Sequence, residues 1–239
     1  MDVKPKYRRV MLKLSGEALA GDKRVGLDFD VLQNVCAALK KCVAAGVQVG
    51  VIVGGGNFWR GAKDGNGKVD RVRADHMGMM GTVMNALAVA DVLEQMDVPV
   101  RVQTALEIRA VAEPYIRARA IRHFEKGRVV IFGCGVGRPY FSTDTAAVLC
   151  AAELKADAIL LGKNGVDGIY DSDPNINSDA VKFDEITYAD ILSRQLGVMD
   201  STATSMSMDN QIPLIVFALE DPDNIYRVIM GEKLGSTVS

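Results

Sequence analysis

Short apolar runs alternate along this chain with longer amphipathic ones. Arg9 to Leu14, Val47 to Val53, Val100 to Gln103, Arg128 to Phe132, Ala158 to Leu161 and Leu214 to Phe217 are mostly apolar at every position. Strands covered on both faces in a parallel sheet read this way. Between the first two, "DFDVLQNVCAALKKCVAAG" sets Phe29, Leu32, Val35, Leu39 and Val43 at helical spacing, with Asp28 placed to cap the start and Gly46 to end it. Further helices are predicted from about Val72 to Met96, over Pro114 to Lys126, and from near Thr143 through "DTAAVLCAAELK". The alternation predicts an α/β protein, a three-layer α/β/α sandwich with a mainly parallel central sheet. No repeat or linker divides the chain, and the polar stretches "GAKDGNGKVD" (Gly61 to Asp70) and "YDSDPNINSD" (Tyr170 to Asp179) are expected to be mobile surface loops.

Composition narrows the class without changing this picture. The 239 residues are 49% hydrophobic and 24% charged, enough for a large core. A formal charge of -2 with no long run of one sign does not mark a nucleic-acid or membrane-surface protein. The N-terminal apolar stretch is short and broken by Lys13, so neither a signal peptide nor a membrane anchor is expected, and the location implied is cytoplasmic. Cys36, Cys42, Cys134 and Cys150 form no C-x-x-C pair and suit reduced, buried thiols. His76 and His123 do not pair at metal spacing, so a zinc site or a Ser-His-Asp hydrolase would have to be assembled from distant residues.

In a sheet of this kind ligands bind beyond the carboxyl ends of the strands. Three ends carry glycine or polar clusters: "KLSGEALAG", "GGGNFWRG" and "GCGVGRPYFSTDTAA". Each loop can aim bare N–H groups at an anion, aided by a helix N-terminus, and phosphate is the obvious anion. Each is equally explained, alone, by a tight turn. No stretch fits G-x-x-x-x-G-K-[ST] or completes G-x-G-x-x-G, which disfavours a P-loop kinase and a standard dinucleotide oxidoreductase. Lys13 lies inside the apolar strand "RVMLKL"; its ammonium either reaches an anion at the strand end or snorkels to the surface. Asp144, at the start of a predicted helix, reads as a functional carboxylate or as a cap.

Taken in order, "LKLSGEAL", "GGGNFWRG", "ADHMGMMGTVMNALA", "PYFSTDTAA", "VDGIYDSDP", "VMDSTATS" and "MGEKLGS" resemble the bacterial-type uridylate kinases of the amino acid kinase superfamily, from about Tyr7 to Gly235. The first two mark the superfamily; "D-H-M-G-M" and "P-Y-F-S-T-D" mark the uridylate branch. The resemblance implies one amino acid kinase domain over residues 1–239, its N-terminal part binding the acceptor and its C-terminal part ATP. It implies the reaction ATP plus UMP to ADP plus UDP, in pyrimidine nucleotide biosynthesis. Lys13 would contact the transferred phosphate and Asp144 would orient Lys13 and the phosphate-bridging metal. That metal, Mg²⁺, would arrive with ATP and be held by phosphates and water rather than by a protein cage.

On the same resemblance, ATP would meet Lys13, Leu14, Ser15, Gly16, Gly56 and Arg60, with Asn164, Tyr170 and Asp173 around its nucleoside. UMP would lie against Gly55, Asp75 and the segment Val136, Gly137, Arg138, Pro139, Tyr140, Phe141, Ser142 and Thr143. The forked donors of Arg60 also suit the acceptor phosphate, and Asp75 suits ribose hydroxyls. The plain alternatives are a turn glycine, a solvated arginine, a helix-capping aspartate and, for the ATP segment, a Gly/Asp/Pro-rich turn. Lys163 is a second candidate cation. Trp59 reads as packing rather than base stacking, and the stripe Met77, Met80, Met84 and Leu87 as core or subunit packing.

A homohexamer activated by GTP and inhibited by UTP is also implied. The GTP response is assigned to "GDKRVG", namely Gly21, Asp22, Lys23, Arg24, Val25 and Gly26, which is otherwise an exposed basic turn. A non-catalytic uridylate-binding regulator and an amino acid or carbamate kinase on the same fold remain alternatives. The chain departs from its apparent relatives in one loop: the usual G-T-G-N-P is "GVGRP", with Val136 and Arg138 replacing two polar residues suited to the uracil edge. Arg138 can substitute as a donor, or can reach a neighbouring subunit or solvent.

Overall fold

A computed structural model of the protein describes residues 4–60, 64–65 and 67–239. The strands are β1 (Arg9–Leu14), β2 (Gln48–Val53), β3 (Val100–Thr104), β4 (Glu113–Pro114), β5 (Val129–Gly133), β6 (Ala158–Lys163), β7 (Ile169–Tyr170), β8 (Lys182–Phe183), β9 (Glu185–Ile186), β10 (Leu214–Ala218) and β11 (Ser236–Val238). The helices are α1 (Gly16–Ala20), α2 (Phe29–Ala44), α3 (Arg71–Gln95), α4 (Arg117–Glu125), α5 (Thr143–Leu154), α6 (Tyr188–Arg194), α7 (Ser201–Asp209) and α8 (Asn224–Ile229). Among the described residues one nine-stranded sheet runs β4-β3-β5-β2-β1-β6-β10-β11-β9, and β7 and β8 form a separate hairpin. Every pairing in the large sheet is parallel except β10 with β11.

Strand alternation sorts the core into two layers. Val10, Leu12 and Leu14 of β1 join α2, α3 and α8 on one face, where Leu32, Leu39, Leu93 and Ile225 are closed to solvent. Met11 faces the other way, against α4, α5, α6 and α7, with Phe124, Val148, Tyr188 and Ala203. Lys13 follows Met11 on that second face. Asp28 caps α2 as expected, accepting from the N–H groups of Asp30 and Val31, and Gly46 takes φ +81° just past its end. Phe29 is exposed instead of buried with the rest of its stripe.

Three expectations change. The helix predicted from Pro114 begins at Arg117, because Glu113 and Pro114 pair with β3 as an edge strand, a position where proline's missing N–H costs nothing. The very short strands β7, β8, β9 and β11 were not anticipated, since two or three residues carry no period. The polar segment Tyr170 to Asp179 starts in the β7–β8 hairpin and is laced by its own side chains. Asp173 accepts from Asn175 N–H at 2.9 Å and Asp171 from Val181 N–H at 2.9 Å, so it is an organised excursion rather than an open loop. Of the other polar stretch, Gly61 to Lys63 and Asn66 lie outside the described residues.

All four cysteines are buried and free, and burial pushes the thiols of Cys36, Cys42 and Cys150 up to about 12. No described helix is long and apolar enough to cross a membrane.

Candidate active site

The strand order reverses beside β1. Strands β2, β3 and β5 lie to one side of it and β6 and β10 to the other, and ligands in open parallel sheets bind at such a switch point. Lys13, near the end of β1, and Lys163, at the end of neighbouring β6, come together there with Asp144 from the first turn of α5. Lys13 Nζ is 2.9 Å from Asp144 Oδ1, with side chains only 14% and 19% exposed, so the lysine does not snorkel. The approach lies outside hydrogen-bond geometry, and that oxygen accepts no hydrogen bond. Lys163 Nζ donates to the carbonyl of Val198 at 2.9 Å. Burial lowers the pKa of Lys163; the Asp144 carboxylate opposes the shift and the Lys13 ammonium adds to it.

Asp144 is not the cap of its helix. Ser142 is: its Oγ accepts from the N–H groups of Asp144 and Thr145 at 3.0 and 3.1 Å. The Ser142 hydroxyl then donates to Asp200, which also receives Thr145 Oγ1 and caps α7 through Ala203 N–H at 2.9 Å. One carboxylate thus fixes the N-termini of two helices and, through α5, the position of Asp144. Asp200 had no predicted role, although an aspartate directly before "STATS" carries a cap signature.

The three consecutive glycines have different causes. A Cβ on Gly54 would lie 2.9 Å from Gly16 N, and one on Gly55 would lie 2.5 Å from the carbonyl oxygen of Gly78 in α3. These two are glycine because backbone presses on them from both sides. Only at Gly56 would a Cβ meet side chains alone, Glu17 Oε1 at 3.4 Å and Arg60 at 3.7 Å. Only at Gly56 does the missing side chain leave space that movable side chains border. The N–H groups of Gly55, Gly56 and Asn57 nevertheless have no acceptor among the described hydrogen bonds, and Arg60 beside them is ion-paired to Glu17. Successive unpaired N–H groups beside a guanidinium form an anion cradle. In the β1 segment Leu14 is buried with its carbonyl taken by Gly54 N–H, Gly16 is closed in by the glycine turn, and Ser15 caps α1 through Ala18 N–H.

On the acceptor side Asp75 is not a cap either, since Asp70 caps α3. Both Asp75 oxygens receive Arg71 Nε at 2.9 Å, and Tyr140 N–H donates to Oδ2 at 2.8 Å. Asp75 thereby joins α3 to the segment Val136–Thr143, in which Gly137 and Tyr140 have φ of +73° and +72°. Arg71 stacks over the Tyr140 ring at 5.1 Å, and Tyr140 and Phe141 are exposed. Arg138 is exposed and makes no described hydrogen bond or ion pair, while Pro139 and Thr143 are half-buried. Val136, also half-buried, closes a cavity of about 50 Å³ with Gln103, Tyr115 and Phe132.

A groove of about 500 Å³ is lined by Lys163, by Tyr170 and Asp173, and by Leu196, Gly197 and Val198. Asn164 is not among its lining residues. The 196–198 segment lies between two short helices, and neither Leu196 nor Gly197 had a sequence signal. Trp59 lies against Gly78 of α3 as a packing residue, its Nε1 without a described partner. Met77, Met80, Met84 and Leu87 are exposed, which removes the core reading of that stripe. In the loop Gly21–Gly26, Arg24 has φ +61°, Lys23 lies 3.5 Å from Asp28, and Val25 is exposed.

A mainly parallel sheet with cations and an anion cradle at its switch point suits phosphoryl transfer. The Amino acid kinase family model matches residues 8–221, and the chain belongs to that family. Within it, the uridylate kinase of Streptococcus thermophilus is 56% identical over 235 residues, covering 98% of this chain and 96% of the relative. The crystal structure of UMP kinase from Bacillus anthracis superimposes with a TM-score of 0.94 at 38% identity, covering 98% of this chain and 96% of that one. UMP kinase from Ureaplasma parvum gives 0.92 at 36% identity, covering 98% and 99%.

Proposed function

We propose that the protein is a uridylate kinase that transfers the γ-phosphoryl group of ATP to UMP, giving ADP and UDP. The observation that carries this reading is the meeting of Lys13, Asp144 and Lys163 beside the unpaired N–H groups of Gly55 and Gly56. An oxygen of the UMP phosphate attacks the γ-phosphorus as the bond to the β-bridging oxygen breaks, and ADP leaves with that electron pair. The nucleophile is already anionic near neutral pH, so no general base is needed. The protein's work is positioning and charge stabilisation. Lys13 and Lys163 face the migrating group, and Asp144 holds Lys13 in place. The glycine turn and Arg60 receive phosphate, Asp75 and the 136–143 segment hold the rest of UMP, and the groove with Tyr170 and Asp173 holds the ATP nucleoside.

Kinases of this family work with a divalent metal, and we infer Mg²⁺. The described residues hold no cluster of three metal-ligating side chains, but Asp144 has an oxygen accepting no hydrogen bond. That donor set fits an ion carried mainly by triphosphate and water, which would neutralise phosphate charge. The exposed methionine stripe on α3 supports packing against another copy, and the resemblance to uridylate kinases supports a cytoplasmic homohexamer. The same resemblance supports GTP activation through Gly21–Gly26 and inhibition by UTP. Neither nucleic acid nor membrane enters this reading.

Magnesium-dependent ADP formation with UMP, CMP, dUMP and small carboxylates tests the activity, with UMP expected as the preferred acceptor. Equal turnover of CMP, or turnover only of a carboxylate, overturns it. Sedimentation and rates with GTP and UTP test assembly and regulation separately.

A further inference from the structure

The side chains of Asn57 and Asn85 have no part in the chemistry above, yet both are closed to solvent. Asn57 Nδ2 donates to Asn85 Oδ1 at 3.0 Å, and Asn85 Nδ2 donates back to Asn57 Oδ1 at 2.8 Å. The second hydrogen of each amide goes to main chain: Asn57 to the carbonyl of Gly26 at 2.6 Å, Asn85 to that of Gly54 at 2.6 Å. Gly26 N–H donates to the Asn57 carbonyl at 3.1 Å. A Cβ on Gly16 would stand 2.3 Å from Asn57 Oδ1. Four segments therefore meet at one amide pair: the start of α1, the glycine turn, the middle of α3 and the end of the loop Gly21–Gly26.

We propose that the Asn57–Asn85 pair positions the phosphate turn and ties it to the loop Gly21–Gly26, so that seating a nucleotide phosphate in the turn also orders the loop. The tie rests on the reading of Gly55 to Asn57 as a phosphate site. A buried amide that loses its partner is costly, so the network resists partial breakage and its members move together. Gly26 is gripped from two directions by one residue, through its own N–H and carbonyl. Asn57 contributes both the grip and a member of the anion cradle. Asn85 touches no ligand and is a positioning residue.

The test compares Asn85→Ser with Val89→Ala, which opens a core cavity one turn along the same helix while removing none of the pair's hydrogen bonds. Hydrogen exchange over residues 21–27 is followed with and without saturating UMP, alongside steady-state kinetics. In the unaltered protein UMP should slow exchange across the loop. Asn85→Ser should abolish that protection and raise the KM for UMP about tenfold, with kcat within about threefold. Val89→Ala should lower stability and change neither readout. Asn57→Ser attacks the pair from the turn and replaces Asn85→Ser if the latter does not fold. Absence of UMP protection in the unaltered protein, retention of it in the serine variants, or the same losses in Val89→Ala would overturn the tie. The substrate panel detects a wrong acceptor independently; any acceptor found there then serves as the probe.

Discussion

Lys13 Nζ and Asp144 Oδ1 face each other at 2.9 Å, an ion pair that holds the ammonium near the end of β1. A phosphate at the strand end can share that ammonium. The carboxylate offsets the charge of the lysine.

Lys13→Met and Asp144→Asn should therefore each lower kcat by about 100-fold or more, as removal of a charge acting in the transition state does. Lys163 remains to offset Asp144 when Lys13 is lost, so the fold should survive. Circular dichroism and thermal melts check the fold, and coupled ADP assays the rate. Near-normal turnover in folded Lys13→Met protein would make the pair structural.

The large elements were legible because their patterns are long. The strand at Arg9 to Leu14 and the helix capped by Asp28 are where periodicity and cap chemistry put them. Motif residues drew attention to loops that the fold brings to the switch point, but not to what each side chain does. Asp144 and Asp75 both resembled caps in sequence; Ser142 and Asp70 hold those positions, which frees the aspartates for Lys13 and for Arg71 with Tyr140. Close approach between distant backbones has no local signature, so Gly55 could not be separated from Gly56 without the helix that crosses it. The Asn57–Asn85 pair is hidden for the same reason, each asparagine lying in a segment with its own plausible local role.

Gly55→Ala and Gly56→Ala should fail differently. At Gly55 the new methyl meets rigid backbone at 2.5 Å, and overpacking of this kind costs roughly 1–3 kcal/mol. At Gly56 the nearest atoms belong to the movable side chains of Glu17 and Arg60, at 3.4 and 3.7 Å. Gly55→Ala should lower the urea midpoint, whereas Gly56→Ala should keep it and raise the KM for a nucleotide substrate. Identical stability losses in both would refute the separate roles.

Lys163 is expected to set an alkaline limit on activity. Because burial depresses its folded pKa below the ordinary value of about 10.4, the ammonium discharges at lower pH than a solvated lysine. Where folded Lys163 is neutral and the unfolded chain still protonated, the unfolded state binds more protons, so this group's contribution to stability rises with pH through that window. Activity should do the opposite, since transfer uses the charged form. A kcat/KM–pH profile, which reports the free enzyme, should show an alkaline fall below the ordinary lysine range, and Lys163→Arg should flatten that limb at a lower plateau. A limb unmoved in Lys163→Arg would assign it to another group.

Arg138 bears on base selection. It is exposed, has no described partner and extends from a segment anchored by Asp75 to Tyr140, so its guanidinium is free to meet a ligand. Guanidinium donors suit a uracil carbonyl, whereas cytosine presents an amino donor in place of one of the two carbonyls. Arg138→Ala should raise the KM for UMP and narrow the preference over CMP, by the loss expected when a pocket gives up a polar contact it uses to discriminate. Val136→Thr should be tolerated, because the side chain keeps its shape and Val136 is only half-buried. Kinetics with both nucleotides decide the matter. If Arg138→Ala changes neither the UMP KM nor the UMP-to-CMP ratio, the guanidinium points elsewhere in the working enzyme, and selection passes to backbone groups of the 135–139 turn or to the Thr143 hydroxyl.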